Sequence, residues 1–283
     1  MLIYAIIICI TISLASECSE KGEAPFEGTI FIDSNIITSE DSSAFIELYY
    51  SGIDSRIMYD RRVEDWINIK PFLFPAKYND GLEIEIQVNP EFKSIEDAKA
   101  QAEKYGTVIG RLTTELRKDI ETVWIHKGLK PFGGGNNNLL IHTDWSIKHY
   151  EKQGILEETL VHEASHTSLD SYYSTSPDWI DAQNKDCIFI STYAEENPKR
   201  EDIAESYLPY LAIRYRPERI SKSLKKKIEQ TIPNRIQFSK NIRKYSKISS
   251  FFQHFGEEAH ELLTKVSSSS EADTHRKFNF NMI

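Results

Sequence analysis

The clearest chemical signature in the chain is His162-Glu163-Ala164-Ser165-His166. Two imidazoles four residues apart stack on one face of a helix, where both can be offered to a single ion. Glu163 is rotated about 100° from His162 around the helix. That places its carboxylate beside the coordination position that the protein ligands leave open. A carboxylate there can take a proton from a metal-activated water. Zinc suits the set, because it accepts imidazole nitrogen and lowers the pKa of a bound water to about 7. One Zn2+ per chain is the expected cofactor.

The segment that must position these groups reads as a helix. Leu156, Leu160, Val161, Ala164 and Leu169 are its apolar positions, at helical spacing. Glu157 and Glu158 stand in its first turn, where the helix dipole favours acids. A catalytic zinc site needs three protein ligands plus water, so a third must come from another element. A third histidine six residues after His166 would complete the metzincin pattern, but Tyr172 occupies that position. The remaining route is a carboxylate on a later helix. Glu201 and Glu205 lie four apart on one such face. One can bind the metal while the other orients a ligand histidine through its free ring nitrogen. Glu201 is taken as the ligand and Glu205 as the support. Asp170, four residues beyond His166, can contact that imidazole or ligate. The Gly-Thr-x-x-Asp continuation of aspzincins is absent. His142 and His149 read as ordinary core or surface histidines.

His162-Glu163-x-x-His166 followed by Glu201-x-x-Ala204-Glu205 resembles the gluzincin metallopeptidases. The pattern is most similar to the anthrax-lethal-factor-like group and related bacterial zinc metallopeptidases, and the resemblance covers roughly residues 155–215. It implies that Glu201 is the third ligand and that Glu205 supports a histidine. A tyrosine upstream, Tyr193 in Tyr193-Ala194, would stabilise the oxyanion, with Tyr172, Tyr173 and Tyr207 as competitors. It further implies an α+β, zincin-like catalytic domain: a twisted mixed sheet over the active-site helix, a helical lower part, and a cleft between them.

The 283 residues are 40% hydrophobic and 27% charged, enough for a real core and one large or two small domains. A net charge of −9 argues against nucleic-acid binding. Residues 2–15 form an apolar run too short for a usual membrane span. Ser13-Leu14-Ala15 supplies a cleavage pattern, so residues 1–16 read as a secretory signal and the mature chain as secreted, with no stable membrane insertion. Cys18 and Cys187 then remain as a pair that can form a disulfide. No Asn-x-Ser/Thr sequon is present.

Residues 17–92 look β-rich, with strand character at Thr29–Ile32, Ala44–Tyr50 and Leu82–Val88. They form either a substrate-shaping region or the start of the catalytic sheet. The catalytic domain is expected over 93–245, with a C-terminal helix and disordered tail over 246–283. Ser94 caps a long helix expected to reach Lys118. Strands follow at Thr122–His126 and Leu139–His142. Between them, Lys130 to Asn137 reads as a mobile loop leading into an edge strand that a peptide could extend. A short helix is expected over Pro177–Asp186 and an extended or irregular stretch over Ile188–Tyr193. Asn197-Pro198 then opens the helix that carries Glu201, and a basic helix spans Ser221–Thr231.

The expected function is zinc-dependent endopeptidase acting on a protein or peptide. Two alternatives remain at this level. One is an inactive, peptidase-like binding or inhibitory protein; the other is a metal-dependent hydrolase of a non-peptide amide or ester.

Overall fold

The computed structural model describes residues 22–242. The expected signal segment, Cys18, and the helix and tail expected beyond residue 246 lie outside them. Contacts divide the chain into two compact units, Met1–Ile236 and Gln237–Ile283. The sheet and the helices up to Thr231 lie within the first.

The elements run β1 (Phe45–Leu48), β2 (Gly52–Ile53), β3 (Arg56–Asp60), β4 (Asp65–Ile69), β5 (Phe72–Tyr78), β6 (Glu83–Val88), α1 (Ile95–Ile109), α2 (Thr114–Arg117), β7 (Thr122–His126), β8 (Gly133–Gly135) and β9 (Asn138–His142). There follow α3 (Thr143–Trp145), a π-helical turn at Ser146–Glu151, α4 (Leu156–Ser168), α5 (Asp170–Tyr173), α6 (Pro177–Asp186), α7 (Thr192–Glu196), α8 (Asp202–Tyr215) and α9 (Lys222–Thr231).

One mixed sheet runs in the order β1-β5-β6-β7-β9-β8, with β2 also paired to β5. Its centre, β6-β7-β9, is parallel, while β5 and β8 pair antiparallel at either side. The α1 segment makes the crossover that the parallel β6–β7 pair requires. Every residue of β9 is buried, as expected of a strand covered on both faces. The β-rich N-terminal stretch supplies β1, β5 and β6 to the same sheet that continues into β7 and β9. The β3–β4 hairpin stands apart from it and meets β7 through Trp66 and Trp124, whose rings lie edge to face at 5.4 Å. Helix α1 packs on β1, β5 and β6, and α4 packs against β8, β9 and α8. The fold is thus mixed α and β, with α4 held between the sheet edge and α8. No helix among the described residues is long and apolar enough to cross a membrane.

Several local expectations change. The helix capped by Ser94 ends at Ile109 rather than Lys118. Gly110 is its C-cap, and the entry to β1 runs against that glycine: a Cβ there would lie 2.7 Å from the Phe45 nitrogen. Thr29–Ile32 is no sheet strand. The Ile30 N–H instead donates to the Glu205 carboxylate (2.9 Å), and the Ile32 and Asp33 N–H groups to that of Glu158 (2.8 and 3.1 Å). Gly133–Gly135, read as loop, is itself strand β8. Thr192 and Tyr193, read as extended or irregular, open α7 behind the Ser191 cap. Asn197 ends α7, and Pro198 enters a turn rather than the helix. Helix α8 is instead capped at Glu201 and continues through Pro209.

Candidate metal centre

Two helices of different character bring the site together. In α4, Leu160, Val161 and Ala164 are fully buried, so the opposite face, carrying His162, Glu163 and His166, is turned to a cleft. Helix α8 is buried on every side from Asp202 to Ala212, which marks a helix inside a core rather than on it. It carries Glu201 at its N-cap and Glu205 one turn in, both buried, up to α4. At that end of a helix, the dipole favours a carboxylate.

The inner ring nitrogens of His162 and His166 lie 3.1 Å apart. Glu201 Oε2 lies 3.3 Å from the first and 3.1 Å from the second. An ion about 2.0–2.1 Å from each of three tetrahedral ligands holds them about 3.3–3.4 Å apart. The triangle therefore fits zinc to within a few tenths of an ångström. Glu201 Oε1 pairs with Arg200 Nε at 3.1 Å, whereas Oε2 is buried and has no hydrogen-bond partner, a costly position for its share of the charge unless a second cation answers it. His162, His166 and Glu201 form the one three-ligand group of this kind among the described residues. The sequence-derived ligand set is thus brought to one point.

The outer ring nitrogens are held as well. His162 Nδ1 faces Glu205 Oε1 at 3.3 Å, and His166 Nδ1 faces Asp170 Oδ2 at 2.7 Å. Each carboxylate fixes a ring so that Nε2 points inward, the usual support of a ligating histidine. Asp170 therefore orients His166 instead of joining the triangle. Glu205 is anchored in turn by Ser191 Oγ at 2.6 Å and the Ile30 N–H. With protons as the only cations, burial opposes charge on His162, but the facing carboxylates of Glu201 and Glu205 outweigh it and push the ring up to about 10. Burial likewise opposes charge on His166, yet Asp170 and Glu201 raise it to about 9. Burial alone would raise Glu201; the two imidazoles outweigh it and hold the carboxyl well below the usual range.

Tyr193, on α7, lines the same cleft. Burial first, then the charge of Glu201, pushes its hydroxyl up to about 12, so it keeps its proton at neutral pH. Its competitors are placed elsewhere. Tyr172 donates to Asp119 at 3.1 Å on an exposed surface, and Tyr207 is buried beside Thr113. Neither these nor Tyr173 lines the cleft. His142 is buried against His126, the rings stacked at 5.5 Å, and His149 lies on Trp145 at 4.1 Å.

The cleft has a volume of about 360 Å³. Sequence reasoning missed several of its walls: Phe31, Arg61, Phe132, Tyr150 and Arg200. The triple glycine was the one visible signal, and its packing explains it. A Cβ on Gly134 would lie 1.9 Å from the Glu163 carbonyl oxygen. Only glycine lets the edge strand lie directly on the helix that carries Glu163. Thr167 Oγ1 ties the two together, accepting from the Gly135 N–H and donating to the Asn138 carbonyl, both at 2.9 Å.

Comparison with family models, with curated proteins and with solved structures returns no significant match, so the site stands on its own geometry.

Proposed function

We propose that the chain is a secreted, zinc-dependent endopeptidase with a zincin-like catalytic domain. The observation that carries this is the meeting of Glu201 Oε2 with the two Nε2 atoms at 3.1–3.3 Å, one residue from an unligated carboxylate. His162, His166 and Glu201 would hold the ion, which when bound polarises a carbonyl and makes water a nucleophile at neutral pH. Glu163 lines the cleft beside them and is free to take a proton from the attacking water, then deliver it to the leaving nitrogen. The Tyr193 hydroxyl donates to the carbonyl oxygen as charge grows there. Strand β8 offers an edge to an extended peptide directly above α4. Cys187 is disulfide-bonded, which supports an oxidising compartment.

The test combines metal analysis with cleavage profiling. The purified chain should hold one zinc and cleave a mixed peptide library, and chelation should abolish cleavage. A folded chain that takes up no zinc, or a zinc-loaded chain that leaves every peptide intact, overturns the proposal.

A further inference from the structure

The β3–β4 hairpin carries three arginines, and two are neutralised within the fold. Arg56 pairs with Glu85 (2.8 Å) and Asp54 (3.1 Å); Arg62 pairs with Asp60 (2.7 Å) and Glu91 (2.8 Å). Arg61 faces no carboxylate among the described residues. Its Nη1 donates to the carbonyls of Phe132 (2.5 Å) and Pro131 (3.1 Å). A guanidinium has five N–H donors in a rigid plane. With Nη1 committed, the plane is fixed and the donors on Nη2 and Nε remain. Gly133 leaves room for that plane: a Cβ there would lie 2.6 Å from Nη2. Arg61 lines the metal cleft together with His162, Glu163 and Glu201. It also lines the adjoining groove bounded by Tyr59, Trp66 and Trp124 on the hairpin side of β8.

We propose that Arg61 is a specificity-determining residue of the metal cleft, selecting substrates that present a carboxylate. The inference rests on the peptidase reading above and adds a substrate class to it: peptides with an acidic side chain or a free C-terminal carboxylate near the cleaved bond. A chain of net charge −9 repels such peptides at long range. An uncompensated guanidinium inside the cleft is therefore the feature that admits them. The in-plane pair Nη2 and Nε matches the two oxygens of a carboxylate. A merely structural Arg61, latching the hairpin to residues 131 and 132, would make no distinction between an acid and its amide.

The test uses zinc-loaded full-length protein and a set of peptide hydroxamates read by calorimetry. The set carries Asp, Asn or Lys at the first or second residue after the hydroxamate, each with a free or an amidated C-terminus. An acid should bind about tenfold to a hundredfold tighter than its amide counterpart, the range expected of one hydrogen bond to a charged group. Preference for Asp over Asn identifies a side-chain acid; preference for the free over the amidated terminus identifies the chain end. Arg61→Gln should erase the preference, Arg61→Lys should keep part of it, and Arg61→Glu should turn it toward Lys. Equal affinity of acid and amide in the wild-type protein overturns the inference whatever the variants do. So does a preference that survives Arg61→Gln in protein with wild-type zinc content. If no hydroxamate binds zinc-loaded protein, the metal-cleft reading fails and this inference falls with it, an outcome distinct from binding without preference.

Discussion

Among the described residues, Glu163 is the only carboxylate lining the cleft apart from Glu201, the proposed ligand, so its removal should separate binding from turnover. Glu163→Gln should keep one zinc and lower kcat by about 10²- to 10⁴-fold, the range of a lost general base. Metal analysis and peptide hydrolysis on the same sample read both. Tyr193→Phe should lower kcat by about 10²-fold with little change in KM if, as proposed, the hydroxyl serves an oxygen that gains charge only in the transition state. The two supporting carboxylates should differ from each other. Asp170 holds His166 and is partly exposed, whereas Glu205 also holds the buried Ile30 N–H and Ser191. Asp170→Ala should weaken zinc by about 10- to 100-fold with a small change in melting temperature. Glu205→Ala should do the same and also destabilise the zinc-free fold by about 1–3 kcal/mol, since a buried donor loses its acceptor. Competition with a chromogenic chelator and thermal melting of zinc-free protein distinguish the two.

Between elements, the close approach of β8 and α4 has the sharpest consequence. Gly134→Ala forces a methyl into the Glu163 carbonyl. Strand and helix must separate, which should cost about 1–3 kcal/mol and lower kcat more than the stability loss explains, because Glu163 moves with its backbone. Near-wild-type melting and turnover in that variant would refute the packing. The same pairing shows what was legible in the chain. Helix α4 could be read because its apolar spacing and its histidine spacing share one period. The parallel strands β6, β7 and β9 announced themselves as short apolar or alternating runs. Glu201 was found by its spacing from Glu205, yet the helix start was misplaced: Asn197-Pro198 carries a start signal, but the Asn197 carbonyl is used to turn the chain onto the Glu201 N–H at 2.8 Å. Thr29–Ile32 has strand composition, but its N–H groups are claimed by carboxylates on α4 and α8, more than a hundred residues away. Arg61 and Tyr150 were invisible for a similar reason. Nothing local marks an arginine or a tyrosine as a cleft wall when the residues opposite it come from distant parts of the chain.

Over the whole molecule, acidification sets buried histidines against a buried acid. Burial pushes His126 down to about 4 and His142 to about 3. Both are neutral in the fold, so their contribution is fully present above the unfolded value near 6.5 and is lost as pH falls from there toward 4 and 3. Burial pushes Glu158 the other way, up to about 7, despite the two backbone N–H groups it accepts from. The fold prefers that carboxyl protonated. Its contribution is fully present below the unfolded value near 4.5 and is lost as pH rises through 7. Between pH 6.5 and 4 two imidazoles oppose one carboxyl, so zinc-free protein should lose stability on acidification, with Glu158 softening the slope. Glu158→Gln removes the charge at every pH but keeps one acceptor oxygen, so it can accept from only one of the Ile32 and Asp33 N–H groups. Relative to wild type, the variant should gain up to about 3 kcal/mol between pH 4 and the range above pH 7, at about 1.4 kcal/mol per pKa unit. Its acid slope should be steeper than that of wild type. Urea unfolding of both zinc-free proteins at pH 4, 5.5, 7 and 8.5 reads the difference. A difference between variant and wild type that fails to grow from pH 4 to 8.5 would mean that the Ile32 and Asp33 N–H groups, not burial, govern the carboxyl at the foot of α4.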